Sequence, residues 1–295
     1  MNKKDNNVTI EEVNKYWHKK HVPQQWYSRK EPNTLSWFNE LRYKRYTLYY
    51  DYLKEDCEFE YHGGEEVLEI GCGIGTDLAE YARNGAVVTG VDLGADQVEF
   101  TKLNFKLQKL SYKEIRQSNA EQLPFPDNTF DLVVSFGVLH HTPDTEKALR
   151  EVYRVMKMDG KAIIIFYARG WKHYIKRCFI TGILRGRWFK YGFSWQKVYD
   201  EASEVYGNSP KTGVYLKRHL KKMFSMFPSM ELRKRRMGEF FEYKPYNTVK
   251  FPRFVNNILK LFNVEALLGE SWVIKLRKYP TSKEDSLWNV IFKHY

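Results

Sequence analysis

Residues 67–78 read VLEIGCGIGTDL, and this stretch decides the fold. An apolar run at 67–70 is typical of a buried strand, and it leads directly into three glycines at every second position. These are Gly71, Gly73 and Gly75. Glycine permits the backbone conformations of a tight turn that a ligand can approach closely. The stretch therefore predicts a strand, a ligand-binding turn and a helix that begins at Thr76.

Apolar runs and amphipathic helical patterns alternate on both sides of this turn. Strands are predicted at 86–93, 113–118, 131–139 and 161–168, and helices at 94–109 and 144–157. Before the turn, helices are predicted at 9–20, with a Thr9-x-x-Glu12 capping box, and as one unbroken helix at 34–55. Alternation of this kind predicts an α/β fold in which helices cover both faces of a parallel, doubly wound sheet.

The glycine spacing distinguishes between ligands. A dinucleotide fingerprint is G-x-G-x-x-G, but here the spacing is G-x-G-x-G and Thr76 follows. The pattern indicates a ligand that lacks a diphosphate. Asp92 ends the second strand, where its carboxylate can accept hydrogen bonds from both ribose hydroxyls. NAD enzymes often carry an acid at the same place, so Asp92 alone does not discriminate.

In the order and spacing of its motifs, 67–167 resembles the core of class I S-adenosylmethionine-dependent methyltransferases, of the type 11 small-molecule group. The matching stretches are VLEIGCGIGTDL, VDL ending at Leu93, SNAEQLPFPDNTFDLVVS, and GVLHHTPDTEKALREVYRVMKMDG. The resemblance implies a Rossmann-like, doubly wound, mostly parallel sheet of seven strands, with an antiparallel last strand and helical cap and lid insertions. It also implies methyl transfer.

The resemblance also implies which residues bind S-adenosylmethionine. They are Glu69, Gly71, Gly73, Gly75, Asp92, Leu93, Asn119, Ala120, Glu121 and Phe136. In the family an acidic residue usually faces the adenine where this chain has Asn119, and an amide that donates and accepts should preserve binding. Glu69 is expected to support the amino group of the cofactor or to hold the glycine turn. A turn or packing role is the alternative for each residue.

The sequence does not single out a catalytic base. A sulfonium is already an activated methyl donor, so alignment of the reactants is the main requirement. A base is needed only if the acceptor must lose a proton. His140 and His141 follow the fourth strand and are the candidate catalytic residues; the alternative is that His140 packs and His141 closes a turn. No metal is predicted to be required.

The remainder of the chain is expected to choose the acceptor. The predicted organisation is a helical cap at 1–62, a core at 63–168 completed by 213–237 and 270–278, insertions at 169–212 and 238–269, and a tail at 279–295. Aromatic residues of the cap either cover a cationic group or pack the helices together. They are Tyr16, Trp17, Trp26, Tyr27, Trp37 and Tyr43. The amphipathic stretch 253–262 is predicted to face the core, with a lipid or a homodimer partner as alternatives.

Charge and composition bound the function further. The 295 residues include 48 Lys and Arg against 36 Asp and Glu, a net charge of +12. Basic and aromatic residues alternate late in the chain, which is typical of surfaces for nucleic acid, anionic lipid or acidic small molecules, and also of a solvated face. Three separated cysteines predict neither a disulfide framework nor a zinc site. The opening residues lack the apolar run of a leader, and no stretch approaches a membrane span, so a cytoplasmic protein is expected.

Three functions fit these observations. The favoured one is methylation of nitrogen, oxygen or sulfur in a small molecule, acidic or lipid-linked. The second is methylation of RNA, which the basic aromatic segments favour and the lack of a recognisable RNA-binding module disfavours. The third is a non-catalytic subunit that binds S-adenosylmethionine.

Overall fold

Within residues 8–19, 28, 30–170, 173–202, 209–235 and 269–279, which the computed structural model describes, eight strands form one sheet. They are β1 (Glu66–Ile70), β2 (Val87–Asp92), β3 (Glu114–Gln117), β4 (Phe130–Phe136), β5 (Met156–Ala168), β6 (Val214–Tyr215), β7 (Ser229–Arg235) and β8 (Ser271–Arg277). The order is β3-β2-β1-β4-β5-β8-β7, and β6 pairs with β5 off this path.

The strand directions confirm the predicted fold class. Strands β1 to β5 are parallel, whereas β8 runs antiparallel to both β5 and β7. The seven strands of the main path match the predicted number, and the two-residue β6 is an addition. The carboxyl ends of β1 and β4 are adjacent, and the chain order reverses between them. This is the switch point where ligands of open α/β sheets bind.

Helices flank this sheet. They are α1 (Ile10–Lys19), α2 (Leu35–Lys44), α3 (Leu53–Asp56), α4 (Thr76–Arg83), α5 (Ala95–Gln108), α6 (Thr145–Val155), α7 (Arg187–Lys190), α8 (Trp195–Ala202) and α9 (Lys217–Met223), with a π-type helix at His173–Leu184. The predicted capping box begins α1, where the Glu12 N–H donates to Thr9 Oγ1 at 3.2 Å. No helix in the described part of the chain is long and apolar enough to cross a membrane.

Both faces of the sheet are buried, as the doubly wound arrangement requires. On β1, Leu68 and Ile70 belong to one hydrophobic core and Val67 to the other. On β4, Val133 lies in the first core and Leu132 in the second. Successive side chains of a strand point to opposite faces, which explains why these strands are apolar throughout.

The bounds of several predicted elements shift by a few residues, and the predicted helix at 34–55 differs most. The expected single helix at 34–55 is α2, a wide π-type turn at Arg45–Tyr49, an interruption at Tyr50 with φ −141°, and then α3. Tertiary contacts account for the irregular turn, because Arg45 and the neighbouring Tyr46 both reach Asp77 of α4. Helix propensity and the absence of Gly or Pro could not reveal a distortion imposed by a distant carboxylate.

Candidate active site

The glycine turn joins two strands at the carboxyl edge of the sheet. The N–H groups of Gly71 and Cys72 donate to the carbonyl oxygen of Val91 at 2.7 and 3.0 Å, which ties the turn after β1 to β2. The three glycines of the turn have φ values of +80°, +58° and +73° in chain order. A side chain would be strained at each of these positions.

The three glycines have different surroundings. A Cβ atom at Gly71 would lie 2.3 Å from Val138 Cγ2, and one at Gly75 would lie 2.7 Å from Thr101 Cγ2. At Gly73 no atom lies within 4 Å of the same position. Gly137, directly after β4, also has no atom within 4 Å of its Cβ position, and its φ is +79°. The outer two glycines of the turn are therefore packing positions, whereas Gly73 and Gly137 border open space at the switch point.

Asp92 connects the glycine turn to the loop after β2. Its Oδ2 accepts a hydrogen bond from the Gly73 N–H at 2.9 Å, and its Oδ1 accepts one from the Gly94 N–H at 3.0 Å. Burial raises the pKa of Asp92 above its ordinary value, while these backbone donors act in the opposite direction. A carboxylate has about four acceptor sites, so further hydrogen bonds remain available to a ligand.

Glu69 lies inside the protein beside this turn. Its side chain is 2% exposed and accepts a hydrogen bond from the Leu78 N–H of α4, and its Oε2 is buried without a partner among the described residues. Burial and the nearby carboxylates of Asp77 and Asp92 raise its pKa well above the ordinary range. Of its two predicted roles, this placement favours holding the turn and the start of α4.

The predicted adenine side follows β3. Asn119 Oδ1 accepts a hydrogen bond from the Glu121 N–H at 2.9 Å, and Glu121 Oε1 accepts one from the Asp144 N–H at 2.8 Å. Ala120 between them is buried, and the Leu93 carbonyl accepts a hydrogen bond from Gln117 Nε2 at 2.8 Å. The Asn119 side chain thus shapes its own turn. Phe136 is half-buried at the carboxyl end of β4.

Both candidate catalytic histidines are buried in the turn after β4. His140 is fully enclosed, with its ring centroid 4.3 Å from that of Tyr167 and 4.1 Å from that of His141. The backbone oxygen of Lys211 lies 2.8 Å from His141 Nδ1, and His141 is 4% exposed. The predicted helix start follows at α6, where Asp144 Oδ1 caps Lys147 N–H at 2.9 Å. Their catalytic role stays a prediction.

Helix α5 supplies residues that the sequence analysis missed. Thr101 Oγ1 donates to the Gly73 carbonyl at 2.8 Å, and Asn104 Nδ2 donates to the Ile74 carbonyl at 2.8 Å. Both side chains are buried, as is Gln97 on the same helix. These polar residues recur at helical spacing. A polar stripe on a helix that is predicted to pack against the sheet was the sequence signal that could have identified them.

The N-terminal helices lie against the glycine turn and α5. The Trp17 carbonyl of α1 accepts a hydrogen bond from Gln97 Nε2 at 3.1 Å, and His18 Nδ1 lies 3.4 Å from Asp96 Oδ2. In α2, Trp37, Phe38 and Leu41 form a buried cluster with Ile74 of the turn. Of the other cap aromatics, Tyr16 is buried and Tyr43 is exposed, and Trp26 and Tyr27 lie outside the described residues.

Two ion pairs, one largely buried and one with an exposed arginine, attach α2 and the π-type turn after it to α4. Arg45 Nε donates to Asp77 Oδ1 at 2.7 Å, and the Tyr46 hydroxyl donates to the same oxygen at 2.5 Å. Arg42 Nη2 donates to Glu80 Oε2 at 2.8 Å. Burial alone would lower the pKa of Arg45. The charge and hydrogen bonds of Asp77 outweigh burial and raise this pKa above its ordinary value. These pairs attach the predicted cap to the helix that begins at the glycine turn.

The structure describes the segment after β5 at 169–170, at 173–202 and again from 209. Asp200 of α8 accepts hydrogen bonds at Oδ1 from the Thr212 N–H at 2.8 Å and Gln196 Nε2 at 2.9 Å. The predicted insertion at 238–269, its amphipathic stretch 253–262 and the tail beyond 279 lie almost entirely outside the described residues. Within the described ranges, no cluster of three or more His, Cys, Asp and Glu side chains is arranged to hold a metal ion.

A family comparison matches residues 68–164 to the methyltransferase domain family Methyltransf_11. This segment is a methyltransferase domain of the class I, type 11 group, as the motifs predicted. It contains the glycine turn, Asp92, the Asn119 turn and both histidines, and it comprises about a third of the chain.

Individual curated relatives match part of the chain. The chain is 32% identical over 185 residues to a ubiquinone/menaquinone biosynthesis C-methyltransferase UbiE of Xanthomonas oryzae, covering 60% of this chain and 65% of that one. It is 34% identical over 105 residues to a phosphatidylethanolamine N-methyltransferase of Cereibacter sphaeroides, covering 35% and 50%. Matches span from 26% to 65% of the length of such curated relatives.

The fold is similar to that of a solved chain in the complex between the Haloferax volcanii Trm112 methyltransferase activator and a methyltransferase. The similarity covers 84% of this chain and 97% of that one, with a TM-score of 0.51 and 11% sequence identity. At this identity the likeness concerns the fold alone.

Proposed function

We propose that this protein is an S-adenosylmethionine-dependent methyltransferase that transfers a methyl group by in-line displacement to nitrogen, oxygen or sulfur of a small molecule, acidic or lipid-linked. One observation carries the proposal. The open backbone of Gly73 is held by the Asp92 carboxylate at 2.9 Å, at the switch point of a sheet whose core is a methyltransferase domain.

The residues at this edge fit the cofactor. No atom lies within 4 Å of a Cβ position at Gly73 or Gly137, which is consistent with a ligand between β1 and β4. Asp92 retains acceptor capacity for ribose hydroxyls, and the half-buried ring of Phe136 is assigned to the methionine part. The turn at 119–121 is assigned to the adenine. When bound, S-adenosylmethionine supplies a methyl group activated by its sulfonium.

In this proposal the protein accelerates the reaction by aligning the methyl donor with the acceptor. Thr101 and Asn104 bond to two carbonyls of the glycine turn, and Asp92 accepts a hydrogen bond from the N–H of Gly73, so three hydrogen bonds hold the turn in place for a ligand. Holding reactants in line contributes up to about 7–11 kcal/mol in favourable cases. Helix α1 contacts α5 at Gln97 and Asp96, and in this proposal it covers the same edge.

His141 is the better placed of the two histidines for proton removal. His140 is fully buried and contacts the ring of Tyr167, whereas His141 contacts Trp17 of α1. A base is required only for an acceptor that must lose a proton. Full activity in both His140→Asn and His141→Asn would leave alignment as the entire mechanism.

We further propose that the segment 169–212 and the cap at 1–62 select the acceptor. Residues 160–199 contain nine Lys and Arg and no Asp or Glu, which favours an anionic molecule or surface. The names of two relatives concern acceptors of the lipid class, a quinone and phosphatidylethanolamine. The C-methyltransferase among them makes carbon the alternative acceptor atom.

The test incubates the purified chain with methyl-labelled S-adenosylmethionine and a cell extract, and then counts label separately in small-molecule, lipid, RNA and protein fractions. Asp92→Ala should abolish the label, whereas Glu99→Ala, an exposed carboxylate on α5, should not. Label in the small-molecule or lipid fraction supports the proposal, and nuclear magnetic resonance of the product identifies the methylated atom. Label in RNA would overturn the acceptor class; cofactor binding without transfer to any fraction would indicate a binding subunit.

A further inference from the structure

Exposed apolar side chains are concentrated in one short segment. Of the thirteen large hydrophobic residues that are exposed in the described part of the chain, six lie within 179–193. They are Phe179, Ile180, Ile183, Leu184, Phe189 and Phe193, which we call the outer apolar face. Scattered single residues are normal on a protein surface, but a group of this density marks an interaction site.

The outer apolar face belongs to a packed structure. The ring centroids of Phe189 and Phe193 are 5.6 Å apart, and Trp188 stacks on Trp195 at 4.9 Å. The neighbouring helix α8, which packs against this segment, contains the fully buried Val198. The residues of the outer apolar face are themselves exposed in the described structure, so they are available to a partner.

Positive charge surrounds these apolar residues. The segment 160–199 has no acidic residue, and Arg185 and Lys190 are exposed beside the outer apolar face. Neither Arg185 nor Lys190 forms an ion pair with a carboxylate of the described residues. In contrast, Arg187 Nε lies 3.2 Å from Glu201 Oε1. A partner that satisfies this surface must be both apolar and anionic.

We propose that the outer apolar face docks onto an anionic phospholipid bilayer. Phe, Ile and Leu side chains enter the boundary between headgroups and acyl chains, while Arg and Lys attract the phosphate layer. Single-stranded nucleic acid would use aromatic stacking and cations, but it would leave Ile180, Ile183 and Leu184 in contact with water. The aliphatic residues therefore favour lipid over nucleic acid.

Hydrogen bonds link the docking segment to the histidine turn. Asp200 of α8 holds Thr212 as described above, and the next residue, Gly213, donates its N–H to the His140 carbonyl at 2.9 Å. Docking through this segment would thus bring the carboxyl edge of the sheet to the membrane surface, where a lipid-linked acceptor lies. This last step rests on the proposed function, whereas bilayer binding does not.

The test is flotation of the full chain with vesicles of phosphatidylcholine alone, or mixed with phosphatidylglycerol, in the absence of cofactor. We expect binding to the mixed vesicles only, weakened at least about tenfold in the double variant Leu184→Ser/Phe189→Ser. The matched control is Tyr61→Ser/Tyr112→Ser, which removes exposed aromatics elsewhere and should bind normally. Arg185→Glu/Lys190→Glu should abolish the preference for anionic vesicles, and unchanged melting temperatures verify folding of each variant.

Several results would overturn the docking proposal. One is absence of vesicle binding by the unaltered chain, and another is equal binding by the Leu184→Ser/Phe189→Ser variant and its control. RNA binding through these residues without vesicle binding would make the face a nucleic-acid surface; a dimer that occludes it would make it a subunit interface. Intact vesicle binding with no methyl transfer to any fraction would retain the docking surface and overturn only the enzymatic function.

Discussion

The indole of Trp17 lies edge-on against the imidazole of His141, with ring centroids 5.1 Å apart and planes at 65°. Trp17 lies on α1 and His141 follows β4, so this contact places α1 at the carboxyl edge of the sheet. The carbonyl of the same Trp17 is bonded to Gln97 on α5. One residue thus joins α1 to both sides of the candidate cofactor site.

Removal of the indole should loosen α1. An aromatic pair of this kind contributes about 0.5–1.5 kcal/mol beyond burial. In Trp17→Ala we expect faster amide hydrogen exchange at 10–19 and a weaker affinity for S-adenosylmethionine, by up to about tenfold. Tyr43→Ala, which removes an exposed aromatic of α2, should change neither quantity. Unaltered exchange in Trp17→Ala would show that the helix is held by other contacts.

The glycines of the turn should respond differently to alanine. Gly73→Ala has room for its Cβ and should cost about 1–2 kcal/mol for the left-handed backbone, yet it should greatly weaken cofactor binding. Gly71→Ala adds a clash with Val138 and should lower the free energy of unfolding further. Adding Val138→Ala should recover part of that loss. Urea denaturation and titration calorimetry measure these effects; normal cofactor affinity in Gly73→Ala would contradict the assignment of its open face.

The Arg45–Asp77 pair should be important for stability. Both side chains are largely buried, so Arg45→Met leaves an unpaired carboxylate in the interior. Breaking such a pair typically costs about 3–5 kcal/mol. We expect a loss of this size in urea denaturation, and a smaller one in Arg45→Met/Asp77→Leu because no charge is then left unpaired. The idea fails if the single variant is as stable as the unaltered chain.

Stability should fall as the pH rises through the titration of His62. Burial alone would lower the pKa of His62, but the carboxylates of Glu58 at 3.6 Å and Glu65 at 2.6 Å outweigh burial and raise it. The unfolded value is about 6.5. The contribution is therefore fully present below that pH and is lost as the pH rises through the folded-state pKa. We expect it to be on the order of 1 kcal/mol.

Thermal unfolding measured across this pH range checks the His62 prediction. In His62→Gln the decrease in stability above neutral pH should be smaller than in the unaltered chain. An identical pH dependence in both proteins would exclude His62 as its source.

The sequence by itself determined the local features. The apolar run at 67–70 and the glycines after it specify a strand and a turn, because a strand buried on both faces needs continuous apolar residues and φ above zero favours glycine. The alternation of strands and helices determined the doubly wound class, and the Thr9–Glu12 capping box marked the start of α1. These rules act between residues close in sequence, so the sequence displays them directly.

Only the tertiary structure decided which residues distant in sequence contact each other. Only the position of Val138, 67 residues after Gly71, makes that glycine a packing position while Gly73 stays open. The bond from Thr101 to the Gly73 carbonyl and the contact of Trp17 with His141 have the same origin. The outer apolar face also depends on tertiary structure, because packing decides which apolar residues of a segment stay exposed. Periodicity reports how each element is patterned, but the partner of each face depends on packing between elements distant in sequence.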